Sequence, residues 1–272
     1  LSNTSKECIL HASSTLAKSC GCMCENPFND DVAQNLTELE RRMQEVVLNK
    51  SQPLAYSVRD KYLGTCAIVL SSGLLARIKS PSLGVLIDSH DAVFRFNHAP
   101  KGGALSKIVG SKTDFRIAYP LPDIFEENGP FKTTNGEVAL MILKSKKYFK
   151  RILRAVQHGK LTADQIDFIP TSIKAAMDRC TSPRLTKRAS SGFYGVHLAM
   201  IHCQQVTVFG KLSDDFRDLN TSDISEHYWK DMMKGINRGD VSMLDTDIQH
   251  DFEGEHEIYR TMVNSHFISL VP

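Results

Sequence analysis

From Cys66 onward, short apolar runs alternate with helical stretches, and that alternation leaves few folds open. Cys66-Ala-Ile-Val-Leu70 is a compact apolar run closed by Ser71-Ser72-Gly73, which reads as a strand followed by a small-residue turn. Ala92 to Phe96, Asp114 to Ala118, Val138 to Leu143, Ile166 to Ile169 and Val206 to Phe209 read as further strands. Between them, Lys146 to Gln157 places Phe149, Ile152, Leu153 and Val156 on one helical face, and Phe193 to His202 forms a second helix. Strands that alternate with helices predict an α/β fold, a Rossmann-like three-layer sandwich around a mostly parallel sheet. Neither an internal repeat nor a low-complexity tract interrupts the pattern.

Charge narrows the partners. Lys+Arg total 33 against 31 Asp+Glu, a net charge of +2. A nucleic-acid binder working by bulk charge carries a basic domain or stripe, so no nucleic-acid partner is expected. No apolar run reaches the roughly 20 residues that span a bilayer. Lys144, Lys146, Lys147, Lys150, Arg151 and Arg154 lie opposite an apolar stripe and read as a solvated helix face.

The first sixty residues differ in character. Residues 1–60 read as an N-terminal extension and 61–272 as the α/β domain. The extension holds the sequons at Asn3, Asn35 and Asn49, the fourth being Asn220, and Cys8, Cys20, Cys22 and Cys24 among the seven cysteines. Its stretch from Val32 to Leu48 is amphipathic. Four sequons together with a cysteine cluster favour a secretory-pathway lumen. Cys-x-Cys-x-Cys lacks the two-residue spacing of common structural zinc sites, so the cluster reads as disulfides with at least one leftover thiol.

Two turns carry ligand chemistry. Ser71-Ser72-Gly73 follows a strand, and Ser190-Ser191-Gly192 precedes a helix. Glycine allows close backbone approach, and serine offers a hydroxyl and a cap, so phosphate, ribose or carboxylate suits either turn. An ordinary turn and an ordinary helix cap use the same residues. The phosphate loop G-x-x-x-x-G-K-S/T, the dinucleotide fingerprint G-x-G-x-x-G and the hydrolase elbow G-x-S-x-G are all absent.

A family resemblance then becomes visible. Cys66 to Leu75, Ile87 to Pro100 and Val109-Gly-Ser-Lys-Thr113 resemble the large sialylmotif of the animal-type sialyltransferases. Ser190-Ser191-Gly192, His202-Cys203 and Val206 to Gly210 resemble the small motif. His227-Tyr228-Trp229 is similar to the third motif, and His250 with Glu255 reproduces the very small motif His-x4-Glu. There are departures: Leu70 and Leu74 stand where many members carry small or amide residues, Ala189 replaces a proline, Ile108 an acidic residue and Asp114 a threonine.

The resemblance implies a GT-A-like variant of the fold and a metal-independent, inverting transfer of sialic acid from CMP-sialic acid to a glycan hydroxyl. It makes His250 the general base and places His227 at the donor phosphate, with Tyr228 beside it. Ser71, Ser72, Gly73, Asn97, Ser190, Ser191 and Gly192 fall where the family holds the donor. Neither metal nor cofactor is implied. Cys66 and Cys203 fall where the family forms a disulfide, which leaves Cys8, Cys20, Cys22, Cys24 and Cys180 to pair otherwise. It further implies a glycoprotein or glycolipid acceptor and a Golgi-lumen ectodomain of a single-pass type II protein whose N-terminal anchor is missing from this chain.

Spacing adds one independent expectation. Residues five apart on a helix lie about 140° apart, so His250 belongs just before a helix and Glu255 in its first turns, orienting a neighbour or capping backbone. Two alternatives remain: a metal-dependent nucleotide-sugar transferase using Asp245 and Asp247, or an inactive glycan-binding relative. Residues 211–226 read as a loop able to close over the donor.

Overall fold

The computed structural model describes residues 63–78, 80–125, 136–142, 146–157, 166–169, 184–211, 227–229 and 250–271. The helix expected over Val32 to Leu48, the sequons, Cys8, Cys20, Cys22, Cys24, Cys180, Asp245 and Asp247, and nearly all of the 211–226 loop lie outside them. Seven strands are described: β1 (Leu63–Val69), β2 (Ala92–Phe96), β3 (Phe115–Ala118), β4 (Val138–Ile142), β5 (Ile166–Ile169), β6 (Cys203–Phe209) and β7 (Ser269–Val271). The helices are α1 (Leu74–Arg77), α2 (Leu83–Asp88), α3 (Ser106–Val109), α4 (Lys146–Gln157), α5 (Ser191–His202) and α6 (Phe252–Asn264). Among the described residues, no helix is long and apolar enough to cross a membrane.

The chain divides into two compact units, one from the described residues of 61–115 and 184–272, the other from those of 116–183. In the first unit the strand order is β2-β1-β6-β7, and each neighbouring pair is parallel. Cys66 pairs with Ala92 on one side and Val206 on the other. A central parallel strand is covered on both faces, which is why Cys66 to Val69 is continuously apolar and wholly buried. The Rossmann-like α/β class expected from the alternation is the observed one. Helix α5 buries Phe193, Tyr194, Val196, Leu198 and Ala199 around most of its circumference, as a helix enclosed by its own unit must.

Two strands start earlier than the apolar runs suggested. β1 begins at Leu63 and β6 at Cys203, straight after α5. Gln204 and Gln205 are exposed strand residues, so their polarity masks a backbone that still ladders onto β1. The Cys66–Cys203 disulfide is present, with Cα atoms 6.1 Å apart and a sequence separation of 137. Closing so long a loop is worth about 5 kcal/mol by the chain-entropy estimate.

The Val109 to Thr113 segment acts as a strap. Gly110 has φ +72°, a left-handed conformation, and a Cβ there would strike Asp88. Asp88 accepts hydrogen bonds from Ser111 N and Lys112 N, and Lys112 Nζ donates to the carbonyls of His90 and Asp91 at 2.6 and 2.8 Å. Fully buried Arg95 in β2 donates to Thr113 Oγ1 at 2.8 Å and to the carbonyls of Lys112 and Val109. A guanidinium is tolerated inside because these acceptors replace its water.

In the second unit the order is β5-β4-β3, with β4 and β5 parallel. Its core gathers Ala118, Ile124, Phe125, Ala139, Met141, Ile152, Ala155 and Ile166. Buried Arg116 donates to buried Glu137 in an ion pair that no sequence pattern announced. On α4, Lys150 and Arg154 are exposed, as a solvated face requires, whereas Arg151 turns back to the Pro120 carbonyl at 3.2 Å and lies over the Tyr148 ring.

Candidate functional site at the strand ends

In the first unit the chain leaves β1 to build β2 on one side and returns much later to add β6 on the other. Parallel sheets bind ligands at such a switch in strand order, beyond the carboxyl ends of the two strands. Beyond β1 lies Ser71-Ser72-Gly73, and beyond β6 lie Gly210 and Lys211. Leu70 N donates to Phe209 O at 3.0 Å, so the two strand ends are held in register.

The Ser71 turn is bound on its outer side by the third motif, since Tyr228 N donates to Ser71 O at 3.0 Å. Ser72 Oγ accepts from Leu74 N at 3.2 Å, and Gly73 is the first, uncapped residue before α1. Tyr228 is fully buried, and its hydroxyl donates to the Pro100 carbonyl. The side chain packs in the core, and its contribution is to fix Ser71 and its neighbour His227. The His227 ring stacks on Trp229 at 4.4 Å and 11°.

At the end of β2, Asn97 adopts φ +43°, a left-handed conformation that asparagine tolerates better than most residues. Asn97 Nδ2 donates to Ser191 Oγ at 3.3 Å, which joins the large-motif and small-motif residues directly. Ser190 is the N-cap of α5, its Oγ accepting from Phe193 N at 3.1 Å. Gly192 sits so close to the end of β1 that a Cβ would lie 2.8 Å from Leu70 Cδ2. Leu70, one of the departures, thus fills the space that glycine leaves.

Glu255 occupies the first turn of α6 and is only 2% exposed. Its carboxylate accepts from Ser190 N at 2.5 Å and from Ser190 Oγ at 2.9 Å. Burial raises its pKa above the ordinary glutamate range, opposed by the two Ser190 hydrogen bonds and by the charge of Lys211. Asp251 caps α6 by accepting from Gly254 N at 2.9 Å and also takes Thr186 N and Thr186 Oγ1 at 2.6 and 2.8 Å. Those hydrogen bonds, Gly254 first, hold its carboxyl below the ordinary aspartate range.

His250 precedes α6, bridged to Arg188 in parallel register, and its Nδ1 lies 3.0 Å from the Arg188 carbonyl. A carbonyl oxygen only accepts, so Nδ1 carries a hydrogen, and in the neutral ring the lone pair is on Nε2. That is the tautomer of a base. The ring is partly exposed, beside Phe252 at a centroid separation of 5.8 Å.

Sequence reasoning missed Lys211, the residue after Gly210. Its ammonium lies 5.2 Å over the Tyr259 ring, and burial lowers its pKa while Glu255 raises it. A lone lysine next to a strand end carries no pattern, so only the packing of α6 reveals it. Six of the site residues expected from sequence converge in pairs, Asn97 on Ser191, Ser190 on Glu255 and Ser71 on Tyr228, whereas His250 bonds the carbonyl of Arg188, which sequence reasoning did not mark.

Comparison with known proteins points one way. The model of glycosyltransferase family 29 (sialyltransferase) matches residues 13–267. A pig CMP-N-acetylneuraminate-beta-galactosamide-alpha-2,3-sialyltransferase 1 is 28% identical over 203 residues, 72% of this chain and 56% of the relative. A beta-galactoside alpha-2,6-sialyltransferase 2 from Xenopus tropicalis is 45% identical over 78 residues, 29% of this chain and 13% of that protein. The chain thus spans about half the length, or less, of these curated relatives. The crystal structure of a mammalian sialyltransferase in complex with Gal-beta-1-3GalNAc-ortho-nitrophenol superposes with a TM-score of 0.63 at 21% identity, covering 90% of this chain and 86% of that one.

Proposed function

We propose, on the premise that the chain belongs to glycosyltransferase family 29, the sialyltransferases, that it moves sialic acid from CMP-sialic acid to a hydroxyl of a glycan. The observation that carries this reading is the environment of His250. Its Nε2 lone pair stands free of the Arg188 hydrogen bond, on the segment that leads into the helix whose Glu255 grips Ser190. As the acceptor oxygen bonds the anomeric carbon, His250 Nε2 takes its proton. The bond from that carbon to the CMP phosphate breaks on the opposite face, and CMP departs with the electron pair, which inverts the centre.

The leaving phosphate gathers negative charge. His227 beside the Ser71 turn and the amino end of α5 supply positive potential for it, so the reaction proceeds without a metal ion. Ser71, Ser72, Gly73, Asn97, Ser190, Ser191 and Gly192 line the nucleotide's place. The disulfide suits an oxidising lumen, in keeping with the Golgi location of a type II protein. The acceptor is a glycoprotein or glycolipid, and the names of the relatives make galactose-terminated glycans the first to try.

The test is a transfer assay with CMP-sialic acid and a panel of such glycans, followed by linkage analysis. His250→Ala should lower transfer by about 10²–10⁴-fold with CMP affinity nearly unchanged. Near-normal turnover would remove His250 as the base. His227→Ala should lower the rate and weaken donor binding together. Activity lost in EDTA and restored by Mn²⁺ would replace the metal-free mechanism.

A further inference from the structure

Lys211 is a half-buried cation just past the end of β6, and the proposed mechanism gives it no task. It follows Gly210, whose φ of +84° turns the chain away from β6, and whose own N–H donates to Val271 O at 2.9 Å. This places the lysine stem against α6, with the ammonium over the ring of Tyr259. Tyr259 lies four residues, one helical turn, beyond Glu255, so both present the same helix face to Lys211.

We propose that Lys211 is a positioning residue for the donor site, its ammonium serving as counter-charge to the buried Glu255 carboxylate that grips Ser190. Ser190 in turn fixes the first turn of α5, from which Ser191 reaches Asn97. The chain of contacts thus runs from a lysine just past β6, through Glu255, Ser190 and Ser191, to Asn97 at the end of β2. It rests on the proposed donor site for its functional end, whereas the coupling of Lys211 to Glu255 is tested separately.

The groups around Glu255 are few. Ser190 and Lys211 face it from other elements, Asp251 and Tyr259 from its own helix, and Lys187 acts on Asp251. Asp251 raises the Glu255 pKa in the same sense as burial, so among the described residues Lys211 is the charge that opposes the two. A carboxyl whose folded pKa is raised contributes stability at low pH that is lost as pH climbs through the folded value. Removing Lys211 raises that value further and deepens the loss.

The experiment is thermal melting between about pH 5 and pH 7.5 for wild type, Lys211→Met, Lys211→Arg, Glu255→Gln and the Lys211→Met/Glu255→Gln double variant, with CMP affinity measured alongside. Lys211→Met should lose more melting temperature over that range than wild type. Lys211→Arg should follow wild type, and the double variant should show no steeper profile than Glu255→Gln. CMP should bind Lys211→Met about five-fold or more weakly at pH 7.5 and bind Lys211→Arg almost normally. If Lys211→Met alone does not fold, folding of the double variant supports the pairing, and failure of both overturns it. A Lys211→Met profile parallel to wild type, or an added slope that survives in the Glu255→Gln background, also overturns it. A wild type that does not bind CMP defeats the proposed donor site and leaves the melting result to decide the pairing.

Discussion

Ser71-Ser72-Gly73 and Ser190-Ser191-Gly192 are the same tripeptide at two strand-and-helix junctions of one unit, and they are built differently. The first leads into a single-turn helix, α1, with glycine at its N-cap and no capping side chain. It is held mainly through its backbone, by Tyr228 N on Ser71 O. The second opens the twelve-residue α5 with a serine cap, and a buried carboxylate from 65 residues away takes both the backbone and the hydroxyl of that serine. One turn is free to shape itself around a ligand. The other is a fixed platform. Identical residues acquire different tasks from what the rest of the fold brings to them.

The strongest way to break this contrast is Glu255→Ala. It removes the acceptor from a backbone N–H and a hydroxyl in a nearly water-free site, each worth about 1–3 kcal/mol when left unpaired. A loss of about 2–4 kcal/mol is expected, which lowers the melting temperature by roughly 5–15 °C for a domain of this size. Donor affinity should fall with it. Melting within about a degree of wild type would mean that α5 holds its own start and that the second turn is no better braced than the first.

Much of the frame was legible because its signals are local. Ala92–Phe96, Lys146–Gln157 and Ile166–Ile169 appear with the bounds that their apolar runs or helical periodicity marked. His250 falls just ahead of α6 and Glu255 within it, where the five-residue spacing required them. What escaped notice depends on contacts across long sequence distances. β6 hides its first residues behind Gln204 and Gln205, which ladder onto β1 yet face solvent. The Arg116–Glu137 pair and the Arg95 lock look like ordinary strand-end charges until the sheet buries them. Tyr228 is marked by the third-motif resemblance, and only the fold shows that its hydroxyl bonds the Pro100 carbonyl. Lys211 has no signal at all without α6 beside it.

Ser190→Ala sharpens the contrast at lower cost. The variant loses the N-cap bond to Phe193 N, worth about 1 kcal/mol, and strips one partner from Glu255 while leaving the backbone N–H bond in place. A loss of about 1.5–2.5 kcal/mol is expected, smaller than for Glu255→Ala. Denaturant unfolding checks the ranking, since the midpoint should shift with the slope unchanged. A Ser190→Ala loss equal to that of Glu255→Ala would place the whole grip in the hydroxyl and none in the backbone.

Ser72→Ala is the matching change in the first turn, and its effect should be the smallest. The Ser72 hydroxyl accepts only from Leu74 N, at 3.2 Å, in a half-buried position that water can reach. The helix it touches is four residues long, too short to depend on a cap, and Leu74 and Leu75 hold it by burial instead. About 0.5 kcal/mol or less is therefore expected in denaturant unfolding. The functional outcome should run the other way: a turn held chiefly through its backbone leaves its hydroxyls able to donate to a ligand, so Ser72→Ala should weaken CMP binding more than it weakens the fold. Were the stability loss instead to match that of Ser190→Ala, the two Ser-Ser-Gly turns would be equivalent braces, and the first would have no spare hydroxyl to offer a nucleotide.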